Sequence, residues 1–136
     1  MLDERPTATE LVAAVADFLE REIQPALDDR LAFHTRVAAN ALRIVERELT
    51  AGPAAAAADR ARLRELTGAD GDLPALNSLL AQRIRAGELP AADAALRDHL
   101  VRSVLSRIAI DNPRYPSLRE AAGYWPEGPA QGGVPR

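Results

Sequence analysis

Residues 31–49, LAFHTRVAANALRIVEREL, carry two very unequal faces, and this most constrains how the chain can fold. At about 100° per residue, Leu31, Phe33, Val37, Ala38, Ala41, Leu42, Ile44, Val45 and Leu49 cover roughly half of a helical wheel. Arg36, Asn40, Arg43, Glu46 and Arg47 gather on the other half. An apolar arc that broad predicts a helix with several neighbours, the central member of a bundle. His34 breaks the pattern, falling inside the arc between Ala38 and Ala41.

Helix punctuation extends this reading along the chain. Thr7 followed by Glu10 has capping-box spacing, and Leu11, Val12, Val15, Phe18, Leu19 and Ile23 form one apolar stripe behind it. Pro25 ends or kinks that first helix near Gln24, because proline has no amide hydrogen and crowds the preceding turn. A second helix is predicted from Leu27 to Thr50, stopping at Gly52. Pro53 then starts an alanine-rich third helix that ends at Gly68. With Leu63 and Leu66 as its only large anchors, it is expected at the bundle edge. Asp72 and Pro74 open a fourth helix with Leu73, Leu76, Leu80 and Ile84 inward, ending at Gly87. A fifth helix runs from Pro90 to about Asp111 with Leu96, Leu100, Val101, Val104, Leu105 and Ile108 inward, and Asn112-Pro113 stops it. Beyond Pro113, prolines and glycines concentrate. A short helix at Ser117 to Ala122 fits there, with disorder from Gln131 onward. The fold expected is all-α: a single bundle of about five helices over residues 1–116, with helices one, two, four and five forming the core, and an irregular tail over 117–136.

Composition limits the chemistry. The 136 residues suit one domain, and the hydrophobic 47% is rich in alanine, with only 4% aromatics. There is no cysteine, so disulfides, thiolate nucleophiles and cysteine zinc sites are excluded. All 17 basic residues are arginine, which excludes Schiff-base chemistry and a P-loop lysine. A net charge of −3 with interspersed signs argues against nucleic acid as a partner. The charged N-terminus does not resemble a signal peptide and no apolar run approaches a bilayer span, so a cytoplasmic, non-membrane protein is the expectation. No paired histidine motif, glycine-rich phosphate loop or nucleophile elbow is present; neither metal nor cofactor is expected.

Three groups of residues remain as candidates. His34 has the placement of a general base or metal ligand, or of a core histidine bonded to a nearby group. His99 falls on the polar side of its helix and is expected in solvent. Arg36, Asn40, Arg43 and Arg47 align along one helix face. Such a row can hold a phosphate or coenzyme A nucleotide, or else pair with Glu46 and with Asp17, Glu20 and Glu22 of the first helix. Asn77, flanked by leucines, is placed for a buried polar contact that would need a partner. In the tail, Asn112, Arg114, Tyr115, Tyr124 and Trp125 suit either a docking arm or a segment folded over its own bundle.

The segments RPTATELVAAVADFLEREIQPAL, LAFHTRVAANALRIVERELTAGP and RIAIDNPRY resemble a family of small bacterial helical domains of unknown function, over roughly residues 5–116. That family is often found beside aminoglycoside-phosphotransferase-like proteins and acyl-CoA dehydrogenases. The resemblance implies a role near acyl-CoA or phosphotransfer metabolism and supplies no catalytic residues. Together these features point to a non-catalytic accessory or interaction module. It would be a homodimer through an alanine-rich helix face, or a partner of one of those neighbours. The alternative is an acyl-CoA- or phosphate-binding subunit or small enzyme, its pocket lined by His34, Asn40 and Asn77.

Overall fold

The computed structural model describes residues 4–121. Its elements are α1 (Ala8–Phe18), a π turn (Leu19–Ile23), a 3-10 turn (Gln24–Ala26), α2 (Asp29–Thr67), α3 (Leu73–Arg85), α4 (Ala94–Asp111) and α5 (Ser117–Glu120). The all-α expectation holds: among the described residues there is no strand. The chain divides into two compact units, Met1–Gly52 and Pro53–Arg136, and each is described by itself.

In the first unit, the capping box forms as its spacing requires. The Thr7 amide donates to Glu10 Oε2 at 2.8 Å and the Glu10 amide to Thr7 Oγ1 at 3.2 Å, satisfying two of the free donors at the start of α1. Near Pro25 the ladder first loosens and then tightens. The Gln24 amide bonds to Leu19 in a π step, and Pro25 sits in the 3-10 turn that follows. Asp29 starts α2 at φ 43°, a left-handed conformation that aspartate tolerates better than most residues.

Two expectations about α2 are corrected. First, Gly52-Pro53 does not separate two helices; α2 is one helix of 39 residues with Pro53 inside it. An interior proline loses one ladder bond and costs roughly 3 kcal/mol. Five alanines at 54–58, the best helix formers, follow it and offset that loss. Second, residues 31–49 are helical, but their apolar arc is not swallowed. Val37 is 49% exposed, Val45 44% and Leu49 42%, while Ala39 is 1% exposed. The helix turns a different line inward: Thr35, Ala39, Leu42, Arg43 and Glu46 are buried or half-buried. On α1, likewise, Ala16 is wholly buried, whereas Leu11, Val15 and Phe18 are exposed.

The second unit holds the leucine core. Leu63 of α2, Leu76 and Leu80 of α3 and Leu96 of α4 are buried together, with Leu66, Ala69, Leu73 and Leu89 packed against them. The stretch expected at a bundle edge is therefore central, because Leu63 is among the most deeply buried side chains. Helix ends here follow local chemistry. Thr67 is buried, its hydroxyl donating to the Leu63 carbonyl at 2.7 Å and accepting from the Ala69 amide at 3.3 Å. Asp72 caps α3 by accepting from the Ala75 amide at 2.9 Å. Gly87, at φ 75°, closes α3: its amide bonds to Ile84 and that of Glu88 to Arg83, the paired bonds of a Schellman ending. α4 begins later than Pro90 suggests, at Ala94, because Asp93 caps it through the Leu96 amide at 2.8 Å. Its inward face is also rotated. Leu96, His99, Leu105 and Ile110 are buried, while Leu100, Val101 and Val104 are exposed.

Pro53→Ala tests the continuity of α2. With Pro53 inside a helix, the substitution restores a ladder bond and raises stability by on the order of 1–3 kcal/mol in urea melts. If Pro53 instead began a helix, where proline is favoured, the change would be neutral or destabilising.

Candidate functional site

Two polar clusters among the described residues tie helices together, one in each unit. In the first, Arg43 spans the two helices. Its Nη2 donates to Asp17 Oδ1 at 2.6 Å and to Glu20 Oε2 at 2.7 Å, its Nε to Glu20 Oε1 at 3.2 Å, and its Nη1 to Glu46 Oε2 at 2.9 Å. The guanidinium thus makes a two-pronged contact with Glu20 and serves two more carboxylates. Three negative charges around one positive charge hold Arg43 protonated far above any accessible pH. In return, the Arg43 hydrogen bond holds the Asp17 carboxyl below the usual carboxylate range.

This arrangement settles which residues of the arginine row come together. Arg43 meets three of the acids expected for it, Glu46, Asp17 and Glu20, through four hydrogen bonds. Arg36 lies over the Phe33 ring, 5.4 Å from its centroid, and Phe33 meets His34 edge-on at 5.6 Å. Asn40 is exposed and Arg47 half-buried. Asn77 is also exposed rather than placed for a buried contact, since α3 buries the line of Leu76 and Leu80 instead. Asn77 belongs to the second unit and the other five candidates to the first.

The two histidines have exchanged the environments expected for them. His34 is exposed, and His99 is 3% exposed. His99 anchors the second cluster, where α2 meets α4. Arg62 Nε donates to His99 Nδ1 at 3.3 Å, and Arg62 also pairs with Asp59, which accepts from Ser103 Oγ at 2.9 Å. Asp59 and Arg62 lie one turn apart on α2, as His99 and Ser103 do on α4, so the two helices are joined by matched polar pairs. Because Nδ1 accepts, the ring proton of neutral His99 belongs on Nε2. Burial pushes the His99 pKa down, the Arg62 charge adds to this, and the Asp59 and Asp98 carboxylates oppose it.

Sequence reading missed this cluster because its wheel placed His99 among polar neighbours. The usable signal was that Leu96, His99 and Ser103 fall on one line of α4. A hollow of about 140 Å³ shares Arg62 with the cluster and is bounded by Glu65, Leu66, Ala95 and Asp98. Pockets for organic ligands run to roughly 300–1,000 Å³, so this one suits a few water molecules.

In the C-terminal region, Asn112 closes α4. Its amide donates to the Ile108 carbonyl at 2.7 Å, and its carbonyl accepts from the Tyr115 amide at 3.0 Å. Arg114 and Tyr115 are exposed. Tyr124 and Trp125 lie outside the described residues, as does the tail from Gln131. Among the described residues, no group of three or more His, Asp or Glu is placed to share a metal ion, and no helix is long and apolar enough to cross a membrane.

Two pH effects follow. A His99 pKa held below the usual imidazole value of about 6.5 means that the unfolded chain takes up the proton first. Stability is then complete above pH ~6.5 and falls as the pH drops below it; urea melts at pH 7.5 and 5.5 will show the loss, and His99→Gln will remove most of this step. Asp17, whose pKa is lowered, contributes stability that is present above its unfolded value of about 3.9 and is lost as the pH falls through the folded one. In Arg43→Met the bond that lowers the Asp17 pKa is gone, so this part of the wild-type decline below pH ~4 flattens.

No curated protein and no solved structure matches the chain. A family described as a domain of unknown function (DUF6285) matches residues 25–115. That span runs from the Pro25 turn to Tyr115 and takes in α2, α3 and α4, so the chain belongs to the DUF6285 family.

Proposed function

We propose that this chain is a non-catalytic accessory module that works by binding protein. The observation that carries the reading is the distribution of its apolar side chains. Leu11, Val15 and Phe18 on α1, Val37 and Val45 on α2, and Leu100, Val101 and Val104 on α4 are each 40–57% exposed. Scattered apolar residues are ordinary on any surface, but runs at helical spacing on several helices mark faces meant for helical partners. The polar clusters support the same reading. Arg43 and Arg62 direct their charges into neighbouring side chains, and the hollow beside Arg62 is far smaller than a coenzyme.

The competing reading, an acyl-CoA or phosphate held by His34 and the Arg36/Arg43/Arg47 row, needs Arg43 to leave three carboxylates. Proteins of the phosphotransferase-like and acyl-CoA dehydrogenase classes are the first heterologous partners to try, with a role near acyl-CoA or phosphotransfer metabolism.

Two measurements test the proposal together. Sedimentation and co-purification with those candidates should yield a self-associated or partner-bound species; a protein that stays monomeric and captures neither candidate contradicts it. Thermal-shift titration with acyl-CoAs, nucleotides and phosphate should be flat. Saturable stabilisation abolished by Arg43→Ala would favour the ligand-binding reading instead.

A further inference from the structure

Leu100, Val101 and Val104 of α4 are 44%, 40% and 57% exposed. With Arg97 and the half-buried Ile108 they fall within one arc of about 100° on α4, at steps of three and four residues. The stripe is therefore a single face, about 16 Å long at about 1.5 Å per residue. The charges on α4 differ in their state. Asp98 pairs with Arg102 at 2.9 Å and Arg107 with Asp111 at 3.4 Å. Arg97, at the N-terminal end of the stripe, forms no side-chain hydrogen bond or ion pair with any described residue.

The chain that leaves the other end of this helix identifies what covers the face. α4 ends at Asp111, a turn over Asn112–Tyr115 follows, and α5 lies beside α4 up to Glu120. The next residues in sequence are AAGYWPEG, 121–128. Extended chain spans about 3.3 Å per residue, so Trp125 reaches up to about 13 Å beyond Ala121 and Glu127 up to about 20 Å. Measured back along α4 from Asp111, Val104 lies about 10 Å away, Val101 about 15 Å and Arg97 about 21 Å. A segment that runs back along α4 thus brings the Trp125 indole level with Val101 and Val104, and the Glu127 carboxylate level with Arg97. Trp125 also stands before Pro126, and a residue before proline disfavours the helical region, which suits an extended run. Charge and area agree with this register. Glu127 is the one acid in the sequence after Glu120, and Arg97 is the cation on the stripe. Three side chains about half exposed offer an area that a single indole, which buries about 150–250 Å², can cover.

We propose that residues 124–127 lie along this face of α4, with Trp125 on Val101 and Val104 and Glu127 paired with Arg97. A protein that uses the α4 face must then displace the segment. That consequence rests on the interaction-module reading; the coverage itself does not.

Trp125 is the chain's single tryptophan, so its fluorescence in the full chain reads the contact directly. Wild type is expected to show blue-shifted emission and acrylamide quenching several-fold weaker than the same chain in urea, both unchanged on dilution. Val104→Asp should raise quenching to the urea value with helicity by circular dichroism unchanged, because Val104 is exposed. Val37→Asp on α2, at a position exposed to a similar degree, should leave quenching as in wild type. Arg97→Glu and Glu127→Arg should each raise it in part, and the double swap Arg97→Glu/Glu127→Arg should restore protection. Wild-type Trp125 quenched as freely as in urea overturns the inference. So does protection indifferent to Val104→Asp, which puts the ring elsewhere, or protection lost on dilution, which puts the segment on a second copy. Single swaps that the double swap fails to rescue overturn it as well. No partner enters these measurements, so each such result leaves the interaction-module reading standing. A chain that shows the coverage yet binds no protein removes that reading alone.

Discussion

Arg43, bound at once to Asp17, Glu20 and Glu46, decides which side of α2 faces α1. A guanidinium offers five donors in a fixed fork, and three carboxylates within reach accept more of them than water could organise at one point. Once that side is turned inward, helical periodicity carries Val37, Val45 and Leu49 outward, since one face cannot turn without the other. The apolar surface of the first unit is thus a consequence of its ionic contact. Ala16 and Ala39 lie one turn before Glu20 and Arg43 and are covered along with them.

The second unit reverses this balance. Its stability rests on leucines from three helices, and burying each such side chain contributes roughly 1.5–3 kcal/mol. The Asp59–Arg62 and His99–Ser103 pairs lie beside that core. Buried polar pairs of this kind contribute little net stability, but they restrict which rotation of α4 can pack, because a misplaced partner would leave a polar group without a bond. Val104 and Leu105 are adjacent in sequence, yet Leu105 is buried and Val104 exposed, which is the rotation those pairs select.

One helix serves both units. It runs from Asp29 to Thr67, with Pro53 at the start of the part that belongs to the second unit. Local rules treat Gly52-Pro53 as an end because each residue disfavours a helix interior. The alanine run that follows alters the outcome, since propensity acts over a window and not residue by residue.

What was legible in the sequence was whatever depends on neighbours within one turn. Thr7 with Glu10, Asp72 and Gly87 mark helix ends through bonds made inside a few residues, and the acids that surround Arg43 could be named from charge and spacing. Which face packs was legible on α3, where Leu73, Leu76 and Leu80 turn inward as expected, but not on α1, α2 or α4, and His34 and His99 show why. His34 sits in the broader apolar arc but is exposed, and His99 sits among polar neighbours but is buried. In a chain so rich in alanine, two faces of one helix bury nearly equal apolar area, so the hydrophobic pattern alone barely separates them. The sequence determined most of the helix ends, because those bonds are local, but not the passage of α2 through Pro53. Only the tertiary structure decided the rotation of α1, α2 and α4, because that is set by whether an arginine or a histidine finds its partner on another helix.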